Sequence, residues 1–313
     1  MGFVLFALIA LFLLTATSGA YVFVLACVRK QEAPWLDEEK IKKTTFAKYY
    51  DYIVASDKWL KEHNAQDIYL NSFDGLKLHG FWVPVDDPKG TILLAHGYRS
   101  TPLIDFGFVF DFYHTRGFNL LIPQQRSHGE SQGRFITFGV KESEDMIAWI
   151  RFHNQVLGEH PMILSGISMG ASTVLYLADR ILPNNVKGII ADCGFTSPKE
   201  IIKEVYKGVI RLPAIPTLWA VEFFARVFAG FSLTEKDSRV TLANSRYPVL
   251  LIHGKDDGFV PCRMSQEGFD VCSGVKDILL VDGAEHGLSF VVDTDRYTKA
   301  VDAFIDANIG GRQ

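Results

Sequence analysis

Six short, almost wholly apolar runs recur along this chain, at residues 91–95, 119–123, 162–165, 186–191, 249–252 and 278–281, and they constrain its fold more than any other feature. Runs this short read as strands, and strands apolar at consecutive positions are buried on both faces, which is the condition of a parallel sheet covered by helices. The segments between them supply the covers. Met146, Ile147, Ile150 and Leu157 fall at helical spacing, and residues 292–309 form a closing helix. Two further strands, 67–73 and 77–83, precede the series and are joined by Asp74-Gly75, a hairpin turn signal. The expectation is an α/β domain with an eight-stranded, mostly parallel sheet and helices on both faces.

Length and composition leave room for more than this domain. The 313 residues are 48% hydrophobic, and much of the excess lies at residues 2–28, a stretch of 27 without a charge. That is long enough to cross a hydrocarbon core of about 30 Å as a helix. A cleaved signal peptide is the competing reading, but no Lys or Arg precedes the run and it exceeds a usual signal core. Val24-Leu25-Ala26-Cys27 faintly resembles a lipoprotein cleavage site, and the missing basic residues argue against that too. Residues 1–28 are therefore read as a single-pass transmembrane anchor in contact with membrane lipid. Arg29, Lys30, Lys40, Lys42 and Lys43 follow the span, so the positive-inside rule places the remainder in the cytoplasm. Residues 29–65 form a charged connector in which Phe46, Tyr50, Ile53 and Leu60 mark one amphipathic helix, lying on lipid or docked on the domain. The domain proper spans 66–313.

The remaining composition excludes several classes. A net charge of −4 without a basic tract gives no footprint for nucleic acid. The four cysteines, Cys27, Cys193, Cys262 and Cys272, show no paired motif, and only Cys262 and Cys272 are spaced to bridge, which suits a reducing compartment. No glycine-rich phosphate motif follows a strand and no zinc-ligand spacing occurs, so neither a cofactor nor a metal is expected. Nothing in the sequence signals an oligomeric state.

Chemistry enters at Gly166-Ile167-Ser168-Met169-Gly170, directly after the 162–165 strand and directly before a helix-forming stretch. A serine on such a sharp turn has a strained backbone and neighbours too close for a Cβ, and the helix behind it offers free N–H groups to a developing oxyanion. Serine is a poor nucleophile alone and requires a histidine base oriented by a carboxylate. Asp256 and Asp257 lie just past the 249–252 strand, and His286 lies just past the 278–281 strand, where side chains reach the carboxyl edge of a sheet. The order Ser168, acid, His286 is the hydrolase order.

On these motifs the chain resembles the α/β-hydrolase superfamily over residues 66–313, and within it the bacterial membrane-anchored enzymes of the serine aminopeptidase and prolyl-oligopeptidase-like branch. His253 through Pro261 matches the branch's H-G-x-x-D-x-x-V-P, which selects Asp257 over Asp256 as the acid. His96-Gly97-Tyr98-Arg99 matches its H-G after the third strand, which implies an oxyanion hole from the N–H groups of Tyr98 and Met169. The segment usually written D-x-R-G-H-G-x-S appears here with Gln124 for the aspartate and Ser127 for a glycine, a departure in a loop under the site. His96, His128 and His253 read as loop braces, and Asp256 and Glu285 as solvated neighbours.

The resemblance also makes residues 195–245 a lid inserted between two core strands. Its apolar content, with Trp219, Phe223 and Phe224 as candidate substrate contacts, favours an acyl or other hydrophobic group; the same residues equally suit packing of the lid onto the domain. Glu222 is the only charge between 212 and 225, so the lid is also suited to the membrane interface. Three functions follow. The first is hydrolysis of carboxylic esters or thioesters of small or lipid-like acyl substrates through an acyl-enzyme. The second is a peptidase, for which Glu200, Glu204 and Glu222 are the local candidates to hold a terminal amine. The third is a non-catalytic membrane-tethered binding module on the same fold.

Overall fold

The structure, a computed structural model, describes residues 2–30, 38–43, 45–210 and 215–310. The sheet has eight strands, β1 (Gln66–Asn71), β2 (Lys77–Val83), β3 (Gly90–Ala95), β4 (Phe118–Pro123), β5 (Met162–Ile167), β6 (Val186–Asp192), β7 (Val249–Gly254) and β8 (Lys276–Val281). Their order is β1-β2-β4-β3-β5-β6-β7-β8. Only β2 runs antiparallel to its neighbours β1 and β4. Each expected strand is present; β1 starts one residue earlier and stops at Asn71, two residues short of the expected end, β2 keeps its expected bounds, and β3 to β8 are each lengthened by one or two residues.

Alternate residues of the central strands face opposite covers. Ile92 and Leu94 enter one core with helix Thr294–Asn308, while Leu93 and Ala95 enter another with helix Val140–Phe152. The first core also takes Ile53 and Leu60 from helix Tyr50–Glu62, with Phe106 and Phe110 across from them. The amphipathic connector helix is thus docked on the domain, its Trp59 Nε1 donating to Asp111 across 3.1 Å; of its expected apolar face, the Phe46 side chain lies outside the described residues.

A third core sits above the carboxyl edge of the sheet, and it joins segments that the sequence kept apart. Helix α1 (Gly2–Cys27) exposes residues 2–14 but buries Gly19 and Phe23 against the lid and Cys27 in the same core. The lid comprises α2 (Pro198–Ile210) and α3 (Ile215–Phe224), the latter running on as one π-helical turn over Ala225–Ala229; Leu212 and Pro213 lie outside the described residues. A Cβ at Gly19 would collide with Ala220 of α3, and Ser18 Oγ meets Thr217 Oγ1 at 3.2 Å. Close helix approach over small residues with hydroxyl pairing is how helices associate in membranes, where water supplies no hydrophobic drive. α1 is an apolar helix long enough to be a transmembrane span.

The last carbonyls of α1, which have no partner within the helix, are taken up by the domain. Cys27 O accepts from Ile136 N at 2.7 Å, and Arg29 donates to the carbonyls of Ser131 and Gly129. Cys262 and Cys272, the one pair spaced to bridge, do not do so. Both are free and flank the nine-residue helix Arg263–Val271, about 13 Å of helix rise that a bridge limited to about 7 Å between Cα atoms does not span.

Candidate active site

Ser168 lies between β5 and the helix Met169–Leu175, the elbow helix, with φ 56° and ψ −117°. A β-substituted residue pays for that left-handed backbone, and the local contacts hold it in place: Ser168 N donates to Asp192 O at 2.8 Å. Both glycines of the pentapeptide are sterically required. A Cβ at Gly166 would overlap the main chain of Gly170, and one at Gly170 would overlap the carbonyl of Ala95.

The loops after β7 and β8 bring the other two residues to the serine. Ser168 Oγ donates to His286 Nε2 at 2.9 Å, and His286 Nδ1 donates to Asp257 Oδ2 at 2.6 Å. Asp257 Oδ1 accepts from the main-chain N–H groups of Phe259 and Val260, both at 2.8 Å. Burial alone would raise its pKa, but hydrogen bonds from His253 and His286 hold the carboxyl well below the usual carboxylate range. Asp257 therefore stays ionised and fixes His286 as the Nδ1–H tautomer, leaving Nε2 to accept. Asp256 and Glu285 are exposed beside this line. Cys193 Sγ also falls within 4.8 Å of the ligand atoms of Asp257 and His286; both histidine nitrogens and both carboxylate oxygens are already engaged in the bonds just described.

The three braces have defined partners. His253 Nε2 lies 2.9 Å from Val260 O and 3.2 Å from Asp257 Oδ2, both acceptors, so it carries the proton and Nδ1 accepts from Ser265 Oγ at 2.7 Å. His253 thus supports the acid directly, a role its sequence position did not reveal. His96 Nε2 accepts from Gln125 N at 3.0 Å, and His128 Nε2 accepts from Arg99 N at 3.0 Å. Burial pushes His96 down to about 4 and His128 well below its ordinary range, so both remain neutral acceptors.

Gly97-Tyr98 turns beside Ser168. Gly97 N donates to Asp105 Oδ2 at 2.5 Å, while the N–H of Tyr98 meets no acceptor among the described residues. Met169 is the first residue of the elbow helix, where N–H groups lack an intrahelical partner. Asp105 is the residue sequence reasoning missed here, since nothing in its spacing ties it to the loop it holds. The substituted loop below is also satisfied. Gln124 Oε1 accepts from Glu130 N at 2.7 Å and lies 2.8 Å from His79 Nδ1. Ser127 adopts φ 65°, the conformation a glycine takes freely, and its Oγ donates to Phe135 O at 2.9 Å.

Ser168 is only 6% exposed and opens into a cavity of about 230 Å3. Tyr98, Phe138, Phe195 and Phe259 line it near the serine, Ile201, Ile202, Val205 and Tyr206 of α2 form one wall, and Val22, Leu25 and Ala26 of α1 form another. Trp219, Phe223 and Phe224 do not line it. Trp219 and Phe223 point outward, 73% and 59% exposed, and Phe224 packs on Phe23 with ring centroids 6.1 Å apart. The end of α1 occupies the wall expected of these lid aromatics, so they are displaced to its far side and to the surface. The acids considered for an amine site are also elsewhere. Glu200 pairs with Lys203, Glu204 with Arg263 and Glu222 with Arg226.

A sheet in this order, with a serine elbow after its fifth strand and a histidine after its last, is the α/β-hydrolase fold, and residues 90–232 match the family model described as the alpha/beta hydrolase fold. Among individual proteins it is similar to the uncharacterized YqkD of Bacillus subtilis, 28% identical over 238 residues, covering 74% of this chain and 76% of that protein. It is also similar to the uncharacterized YfhR of Escherichia coli K12, 24% identical over 247 residues, covering 76% of this chain and 78% of the other. Of solved structures, the esterase Pf2001 of Pyrococcus furiosus superposes with a TM-score of 0.65 at 23% identity, over 80% of this chain and 96% of that one. The likeness to the solved structure is one of fold.

Proposed function

We propose that this protein is a serine hydrolase of carboxylic esters or thioesters carrying small or lipid-like acyl groups. The observation that carries the reading is the unbroken line from Ser168 Oγ through His286 to Asp257 at the floor of an apolar cavity. His286 Nε2 takes the Ser168 proton as Oγ attacks the carbonyl carbon, and Asp257 stabilises the imidazolium that forms. The N–H groups of Tyr98 and Met169 receive the oxyanion. His286 then returns the proton to the departing alcohol or thiol, and a water deprotonated by the same nitrogen releases the acid from the acyl-enzyme.

The cavity favours an ester over a peptide. Its lining presents apolar side chains around one serine, and each acid considered for binding a terminal amine is paired with a base outside it. That a fold neighbour bears the name esterase agrees with this. α1 is read as the membrane span, and the basic residues after it favour the cytoplasmic side for the domain.

A fluorophosphonate probe will label the wild-type protein and not Ser168→Ala, and nitrophenyl esters will turn over while aminoacyl amides do not. The loss of turnover in Ser168→Ala should reach several orders of magnitude, on the order of that seen for other triads. Absence of labelling in folded protein sinks the proposal.

A further inference from the structure

The turns of α1 that pack into the domain carry two separate stripes. Gly19, Phe23 and Cys27, at i, i+4 and i+8, are buried in the third core, whereas Val22, Leu25 and Ala26 face the Ser168 cavity. Membrane attachment alone accounts for neither stripe, because a tether needs only apolar length. The uncharged stretch also continues without interruption from the free turns into those that wall the cavity, and the first charge is Arg29. Around the same turns, Tyr21, Val24 and Leu25 of α1 expose apolar surface, and Trp219, Phe223, Val227 and Phe228 extend it over the lid. The apolar belt of the span thus runs directly to the cavity.

We infer that the anchor helix is itself one wall of the substrate site: an ester lipid drawn sideways from the bilayer holding α1 lays its acyl chain against Val22, Leu25 and Ala26, with its carbonyl at Ser168. This rests on the ester-hydrolase reading above and names its substrate class. Size agrees with chemistry. A dry apolar cavity of about 150 Å3 admits a benzene ring, and the larger cavity here, about 230 Å3, accepts a longer alkyl segment. Geometry agrees as well. The ester carbonyl of a membrane lipid sits at the boundary between acyl chains and headgroups, and the cavity lies where the uncharged helix gives way to Arg29 and Lys30.

The test uses the full-length protein in phosphatidylcholine vesicles and compares turnover of nitrophenyl dodecanoate with that of nitrophenyl acetate. Ala26→Trp places an indole in the acyl path, and the dodecanoate-to-acetate ratio should fall by about tenfold or more, the discrimination a pocket achieves by excluding a few methylenes. Leu25→Ala widens the same wall and should move the preferred chain length upward. Phe12→Trp, on the free turns of α1, should leave the ratio as it is. Ratios unchanged in both Ala26→Trp and Leu25→Ala, in protein that still labels with fluorophosphonate, overturn the inference while leaving the hydrolase reading intact. Wild-type protein that neither labels nor cleaves either ester overturns the hydrolase reading. If Ala26→Trp does not fold, Leu25→Ala decides, since a truncation at a half-exposed position adds no bulk.

Discussion

The phenolic hydroxyl of Tyr98 donates to the main-chain oxygen of Ala26 across 2.8 Å, so the residue proposed to supply an oxyanion N–H is fastened by its side chain to the last turn of the anchor helix. Arg99 reinforces the link, its Nη2 donating to Leu25 O at 2.9 Å and to Val28 O at 2.8 Å. These bonds cap carbonyls left open at the helix end, and the guanidinium suits the negative pole found there. Tyr98→Phe keeps the ring stacked on Phe138, 5.3 Å away, but leaves the Ala26 carbonyl without the hydroxyl. Losing one such bond costs about 1 kcal/mol. Steady-state kinetics on a short ester should show kcat falling by about three- to tenfold with KM nearly constant, and unchanged kcat would show that the tie does not position the loop.

Gly97 is required for close approach. A Cβ there would sit 3.0 Å from Asp105 Oδ2 and 3.2 Å from Ser168 Cβ, tighter than ordinary contact on both sides. The loop and the nucleophile would have to part by a fraction of an ångström, and displacements of about 1 Å cost on the order of a hundredfold in rate. Gly97→Ala should therefore lose about that factor in kcat/KM while its circular dichroism spectrum stays native. Wild-type activity in this variant would remove the loop from the proposed mechanism.

Asp105 gives the site a pH signature. Burial pushes its carboxyl from 3.8 up to about 6, against the pull of Ser100 and the Gly97 N–H. The folded state thus binds this proton more tightly than the unfolded chain, so the stability it contributes is complete below pH 3.8 and is lost as pH rises through about 6. Asp192 and Asp145 are raised to about 6 by burial and act in the same direction, whereas Asp257, held low, contributes stability that is lost as pH falls. Subtracting the unfolding free energy of Asp105→Asn from that of wild type isolates one group. The difference should decline between pH 4 and 7 by on the order of 3 kcal/mol, and parallel urea-unfolding curves across that range would refute the assignment.

The strands were legible because burial on both faces writes itself as consecutive apolar residues, and Ile92, Leu93 and Leu94 leave no other reading. Ser168, His286 and Asp257 were legible because each follows such a strand within a few residues, which fixes it to one edge of the sheet. What stayed hidden depends on contacts between distant segments. Asp105 reaches Gly97 through a loop that no periodicity describes. Val22, Leu25 and Ala26 stand in a run apolar at every position, where no stripe distinguishes a cavity wall from a lipid-facing side. The lid aromatics were misplaced for the same reason: α3 is apolar all round, and only the position of α1 determines which of its sides faces inward.

That outward side of the lid carries its own prediction. Trp219 and Phe223 are exposed next to a helix suited to span a bilayer, and the one acid among them, Glu222, is neutralised by Arg226 and by hydrogen bonds from Ser232 Oγ and Leu233 N, both at 2.7 Å. An aromatic exposed to water forfeits about 1.5–3 kcal/mol relative to burial, so the lid surface should settle into the apolar boundary beside α1. In vesicles of phosphatidylcholine brominated on the acyl chains, wild-type tryptophan fluorescence should be quenched to a greater extent than that of Trp219→Phe. Trp35, Trp59, Trp82 and Trp149 are common to both proteins and cancel in the comparison, Trp82 and Trp149 being buried in the domain core. Quenching that is equal in the two proteins would place the lid in water and confine contact with the bilayer to α1.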